Sequence, residues 1–122
     1  MGKASRDKGK RGEVELCQVL HRHGWNAKRT AMMQTADDQS FPDIMATRHG
    51  HTLAIESKNA RSLPPKGVTN AIEQVDQALV GSPNVARAVF MRIEGQPGQY
   101  IVAMRSEELF RLLSLTESSK PQ

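Results

Sequence analysis

Phe41-Pro42-Asp43-Ile44-Met45-Ala46-Thr47-Arg48-His49-Gly50-His51-Thr52-Leu53-Ala54-Ile55-Glu56-Ser57-Lys58 reads as two β-strands joined by a tight turn. The strands are expected at Asp43–Thr47 and Thr52–Lys58, and Gly50 supplies the left-handed conformation that a short hairpin turn requires. With His49 and Gly50 as a two-residue turn, positions whose numbers add to 99 face one another, and Asp43 then faces Glu56. Directly opposed residues hold their Cβ atoms ~4.5–5.5 Å apart, so two carboxylates there repel and weaken the ladder. A hard divalent cation between them, bound through oxygens at ~2.0–2.1 Å for magnesium, would remove that penalty. Lys58 and Ala54 lie two residues either side of Glu56 and share its face, whereas Leu53 and Ile55 point to the core. Two acidic groups, an ammonium and a small neighbour are thereby aimed at one place. Read without the register, the same residues are two solvated acids and a surface lysine on an ordinary hairpin.

Working outward, Lys10 to Gly24 has helical spacing, with Val14, Cys17 and Leu20 at three-residue intervals, Leu16 beside them and Gly24 as the stop. Trp25–Thr30 is expected as a strand and residues 31–42, without a period, as a loop. Ser62–Gly67 is expected as a second loop because of the paired prolines Pro64 and Pro65. Helical spacing returns over Val68–Val80, through Val68, Ala71, Ile72, Val75, Ala78 and Leu79. Strands follow at Ala86–Met91 and Tyr100–Met104, separated by turn residues that include Gly95, Pro97 and Gly98. Ser106 is placed to cap a closing helix to Leu115, with Glu107 and Glu108 in its first turn. The order α-β-β-β-α-β-β-α specifies an α/β chain with a single mixed sheet flanked by helices. A flexible basic arm (residues 1–9), one domain (10–115) and a disordered polar tail (116–122) complete the expected organisation.

Charge and composition narrow the function. The chain has 122 residues, enough for one domain, with 38% apolar and 25% charged residues and a formal net charge of +4. Residues 1–66 carry 12 Lys and Arg against 7 Asp and Glu, and Lys3, Arg6, Lys8, Lys10 and Arg11 crowd the first eleven positions. Such a segment attracts polyanions, nucleic acid first among them, although a solubilising tail has the same composition. No run approaches the ~18 apolar residues of a membrane helix, and no apolar block follows the basic start as in a secretory signal. The single cysteine, Cys17, excludes an internal disulfide framework and a cysteine-rich zinc site. A reducing, cytoplasmic setting is expected, in a bacterial, archaeal or phage-infected cell.

Phe41-Pro42-Asp43 followed by Ile55-Glu56-Ser57-Lys58 resembles the Pro-Asp…(Asp/Glu)-x-Lys signature of the PD-(D/E)XK nuclease superfamily. Lys8-Gly9-Lys10-Arg11-Gly12-Glu13, opening a helix, is similar to the start of archaeal-type and bacteriophage Holliday junction resolvases. The resemblance spans roughly residues 8–115. It implies a restriction-endonuclease-like core and a metal-dependent endonuclease, with Mg²⁺ as cofactor and Mn²⁺ as a substitute. It makes Asp43, Glu56 and the Ser57 carbonyl metal ligands and Lys58 the group that activates water or stabilises charge. Glu13 becomes a further carboxylate, acting directly or through water. It also implies a glutamine on the second long helix in contact with the scissile phosphate or its water, where Gln74 and Gln77 are the candidates and Gln74 is taken.

DNA contacts are expected from Lys8, Lys10, Arg11, Arg29, Thr30, Arg61 and Lys66. Branched four-way junctions are the expected substrate, and their two-fold symmetry favours a homodimer, for which Leu109, Phe110, Leu112 and Leu113 of the last helix are candidates if they are not core. Three alternatives stand beside this reading: another DNA-processing, repair or restriction-like nuclease of the superfamily, a DNA-binding protein without catalysis, and a structural or protein-interaction module. His21-x-His23 and His49-x-His51 are poor zinc pairs, since helix residues two apart diverge and only one cysteine is available. Only five residues are aromatic, so recognition by base stacking is not expected to dominate.

Overall fold

A computed structural model describes the backbone of residues 3–30, 42–59, 65–78 and 84–118. Helix α1 (Lys3–Arg22) is followed by strands β1 (Asn26–Arg29), β2 (Ile44–Arg48) and β3 (His51–Asn59). Then come helix α2 (Pro65–Asp76), strands β4 (Val85–Arg92) and β5 (Tyr100–Ala103), and helix α3 (Ser106–Ser118). The strands form one sheet in the order β1-β2-β3-β4-β5. Every neighbouring pair is antiparallel except β3–β4, which is parallel and joined through α2. The expected element order and the mixed sheet are both present.

Strand alternation divides the core between the two faces of the sheet. On one face Ala27, Ile44, Ala46, Leu53, Ile55, Ala86 and Ala88 pack with Leu16, Cys17 and Leu20 of α1. On the other, Val89 and Met91 pack with Ala71 and Val75 of α2, and Ala54 with Ala78 and Val85. Burial pushes the Cys17 thiol up, which suits an inert small core residue. Helix α3 contacts β4, and Glu108, buried at its first turn, lies between the guanidinium groups of Arg87 at 3.7 Å and Arg111 at 3.3 Å. Glu15 fastens α1 to the far end of the sheet, accepting from Gly98 N at 3.0 Å and pairing with Arg92 at 3.1 Å.

Element ends correct the sequence expectations in several places; α2, for one, ends at Asp76 and not at Val80. The basic segment expected as a flexible arm is helical from Lys3, so α1 begins seven residues before Lys10. Lysine, arginine and alanine are good helix formers, and the turns already docked by Leu16 and Leu20 remove the nucleation cost of extending backwards. Pro65, assigned to a loop, opens α2, because a first-turn proline forgoes an N–H that has no intrahelical partner anyway. Helix α3 continues to Ser118 and takes in the first residues of the expected tail. Of the loop expected at residues 31–42 all but Pro42 lies outside the described residues, as do residues 62–64 of the second expected loop and residues 119–122. At the other end of α1 the stop is as expected: Trp25 N bonds Leu20 O at 3.0 Å, Gly24 N bonds His21 O at 3.1 Å, and Gly24 has φ +86°.

Candidate active site

The β2–β3 hairpin sets the geometry. Its pairs run Arg48↔His51, Thr47↔Thr52, Ala46↔Leu53, Met45↔Ala54 and Ile44↔Ile55, all in the register expected from the turn. His49 (φ 51°) and Gly50 (φ 82°) are both left-handed, the conformation of a type I′ turn. Continued by one residue, the same register sets Asp43 opposite Glu56. Asp43 sits just ahead of β2, and its Oδ2 accepts a hydrogen bond from Ser57 N at 3.0 Å. Lys58 Nζ lies 3.7 Å from Glu56 Oε2.

The electrostatics follow from burial. Glu56 is only 3% exposed, a carboxylate with almost no water. Desolvation first, and then the charge of Asp43, push its pKa from an ordinary 4.5 up to about 7, against the opposing pull of Lys58 and of the Asp43 main-chain N–H. One nearby ammonium is not enough to compensate a buried charge beside a second carboxylate. The site therefore has a deficit of positive charge and hard oxygen donors to share with a cation, the combination that suits a small divalent metal.

Other sequence candidates fall at varying distances from this pair. Glu13 projects from α1 and binds Arg29, Oε1 to Nε at 2.9 Å, and among the described residues no group of three or more His, Cys, Asp and Glu comes together. The expected third carboxylate is thus held by a guanidinium. Arg29 pairs with Ile44 in the ladder and so shares the α1 face, which gives Glu13 a closer partner than the Asp43–Glu56 pair. Thr30 corrects another expectation. It is buried, and its hydroxyl donates to the main-chain oxygens of Pro42 and, at 3.3 Å, Asp43, so it is not presented to a phosphate. Gln74 is exposed on α2, while Gln77 lies beyond the helix end, beside Ala78, which packs on Ala54. Lys10, Arg11 and Lys66 are exposed; the Lys8 side chain and all of Arg61 lie outside the described residues. The Glu13–Arg29 pair and the Thr30 contacts were the parts sequence reading missed. Opposite charge on helix and strand was the one available signal for the first, and nothing local marked the second.

An aspartate at the head of one hairpin strand, facing a Glu-x-Lys on the next within a mixed sheet covered by helices, defines a nuclease of the PD-(D/E)XK class. The sequence model of the archaeal Holliday junction resolvase (Hjc) family matches residues 4–78, and this chain belongs to that family. It is a junction-resolving endonuclease, of a family whose resolvases are metal-dependent nucleases. The solved structure of Archaeoglobus fulgidus Hjc, a Holliday junction resolvase from an archaeal hyperthermophile, has the same fold. It matches with a TM-score of 0.53 at 22% identity, over 75% of this chain and 74% of that one. No curated protein sequence matches this chain.

Proposed function

We propose that this resolvase hydrolyses DNA phosphodiesters at four-way junctions with Mg²⁺, which Mn²⁺ can replace, using Asp43, Glu56, the Ser57 carbonyl and Lys58. The observation that carries this reading is the buried Glu56 carboxylate, set against Asp43 with its pKa pushed up to about 7. Asp43, Glu56 and the Ser57 carbonyl provide the oxygen donors. Held by these donors, a divalent cation would lower the pKa of a water and offset charge on the scissile phosphate. Lys58, already within reach of Glu56, orients the attacking water and stabilises the charge that develops on the phosphate. Glu13 acts one step removed: by holding Arg29 it fixes the strand that leads into the site. Lys10, Arg11 and Lys66, all exposed, contribute to the phosphate-tracking surface.

A homodimer is the second part of the proposal. Two opposed cuts on a two-fold symmetric substrate call for two sites related by the same symmetry. The residues offered for a dimer contact are the exposed apolar ones of the edge strand β5 and of α3: Ile101, Val102, Leu109, Phe110 and Leu113, with Phe110 62% exposed. Leu112, the fourth candidate on the helix, packs against the core instead.

The direct test offers purified protein a four-way junction, a linear duplex and a flap, with Mg²⁺ or with EDTA. Junction cutting that needs the metal is expected, with the other two substrates cut poorly. Asp43→Asn and Glu56→Gln are each expected to reduce cleavage by about 10²–10³-fold, the order typical of removing a principal charge-stabilising group, while junction binding survives. Comparable cutting of all three substrates, or full activity in either variant, would refute the assignment.

A further inference from the structure

We infer that Thr30 is a positioning residue that sets Asp43 for metal binding, an inference that rests on the site reading above. Thr30 follows directly after β1 and is 2% exposed. Its N–H donates to Asp43 O at 3.0 Å, carrying the β1–β2 ladder one residue past Arg29↔Ile44. Its hydroxyl donates to Pro42 O, with Asp43 O at 3.3 Å as a second acceptor. Both peptide planes flanking the Asp43 α-carbon are therefore anchored from β1.

The need for such an anchor follows from the neighbouring residues. Asp43 stands in a bend just outside β2, so on the β1 side its backbone is held by Thr30. Pro42 is buried and has no N–H, so its carbonyl is the only main-chain group it can bond through. Rotating the Pro42–Asp43 peptide would turn the Asp43 N–H away from Glu56, and rotating the α-carbon would lift Oδ2 from Ser57 N. Thr30 opposes both from the strand on the far side of β2 from Glu56. The hydroxyl is buried and spent on the Pro42 carbonyl, with Asp43 O second, so it acts on metal affinity by orientation; outer-shell partners of metal ligands commonly carry 10–100-fold in metal affinity or activity.

Thr30→Val keeps the shape and removes the hydroxyl, whereas Thr30→Ser keeps the hydroxyl and removes the methyl. Mn²⁺ affinity of the intact protein without DNA, read by electron paramagnetic resonance, is expected to fall about 10–100-fold in Thr30→Val and to return close to the parent value in Thr30→Ser. Junction binding in EDTA is expected to be unchanged in both. Parent-like Mn²⁺ affinity in Thr30→Val, even with a lowered melting temperature, overturns the inference and leaves Thr30 a packing residue. Lost junction affinity in EDTA overturns it in favour of a DNA contact. Thr30→Cys, a weaker donor of similar size, is the second variant should Thr30→Val not fold: reduced Mn²⁺ affinity supports the inference and parent-like affinity overturns it. Asp43→Asn separates the two levels, since retained Mn²⁺ binding there sinks the site reading itself, whereas lost binding there with a parent-like Thr30→Val sinks only the role of Thr30.

Discussion

Glu56 concentrates the chemistry of the molecule in one side chain, and its ionisation is coupled to folding. Its pKa is about 7 in the folded chain against an ordinary 4.5, so between these values the unfolded chain gives up a proton that the folded chain retains. Without metal, this group's stabilising contribution is complete below about pH 4.5 and is lost as pH rises through 7. The loss is on the order of 3 kcal/mol when each pKa unit is worth about 1.4. Urea unfolding in EDTA at pH 5 and pH 8 checks this: Glu56→Gln is expected to be more stable than the parent at pH 8 and to lose most of that advantage at pH 5. Divalent metal is expected to compete with the same proton, so Mn²⁺ affinity should rise with pH up to about 7 and then level off. The sequence showed which carboxylates would face each other, but not that one of them would be buried, because burial depends on what covers the sheet.

At the scale of elements, the type I′ turn is what brings Asp43 and Glu56 to the same rung. Gly50 at φ 82° has no steric penalty there, whereas a Cβ would introduce one although space around it is open. Gly50→Ala is expected to cost about 1–2 kcal/mol, measured as a lowered denaturation midpoint. His49→Asn should instead raise that midpoint, because asparagine enters the left-handed region more readily than histidine. The hairpin was legible because its register depends on turn chemistry and alternation, both local. The start of α1 was not: composition suggests an arm, and only a docked helix makes extension through Lys3–Gly9 favourable. Pro65 shows the same limit, since its effect depends on where the helix begins.

The whole molecule adds what a single site cannot do. In the proposed homodimer two centres would make the two opposed cuts of a two-fold symmetric junction, and the exposed apolar residues of β5 and α3 are the ones offered for its interface. Edge strands with exposed apolar residues are open to pairing unless covered. Ile101→Glu combined with Phe110→Glu is expected to give monomers by light scattering. Those monomers should nick junctions one strand at a time, so that paired cuts within a single binding event disappear. An unchanged dimer in that variant would move the interface elsewhere.

Sequence alone determined the order of the elements, the hairpin register, and hence the Asp43–Glu56–Lys58 set, because each follows from spacings of a few residues. Tertiary structure alone decided that Glu13 is held by Arg29, that Thr30 serves the Asp43 backbone, and that Glu56 loses its water. Those outcomes depend on which side chains of distant segments arrive closest once helix and sheet have packed. Local periodicity specifies the face a residue takes, but not the partner waiting there.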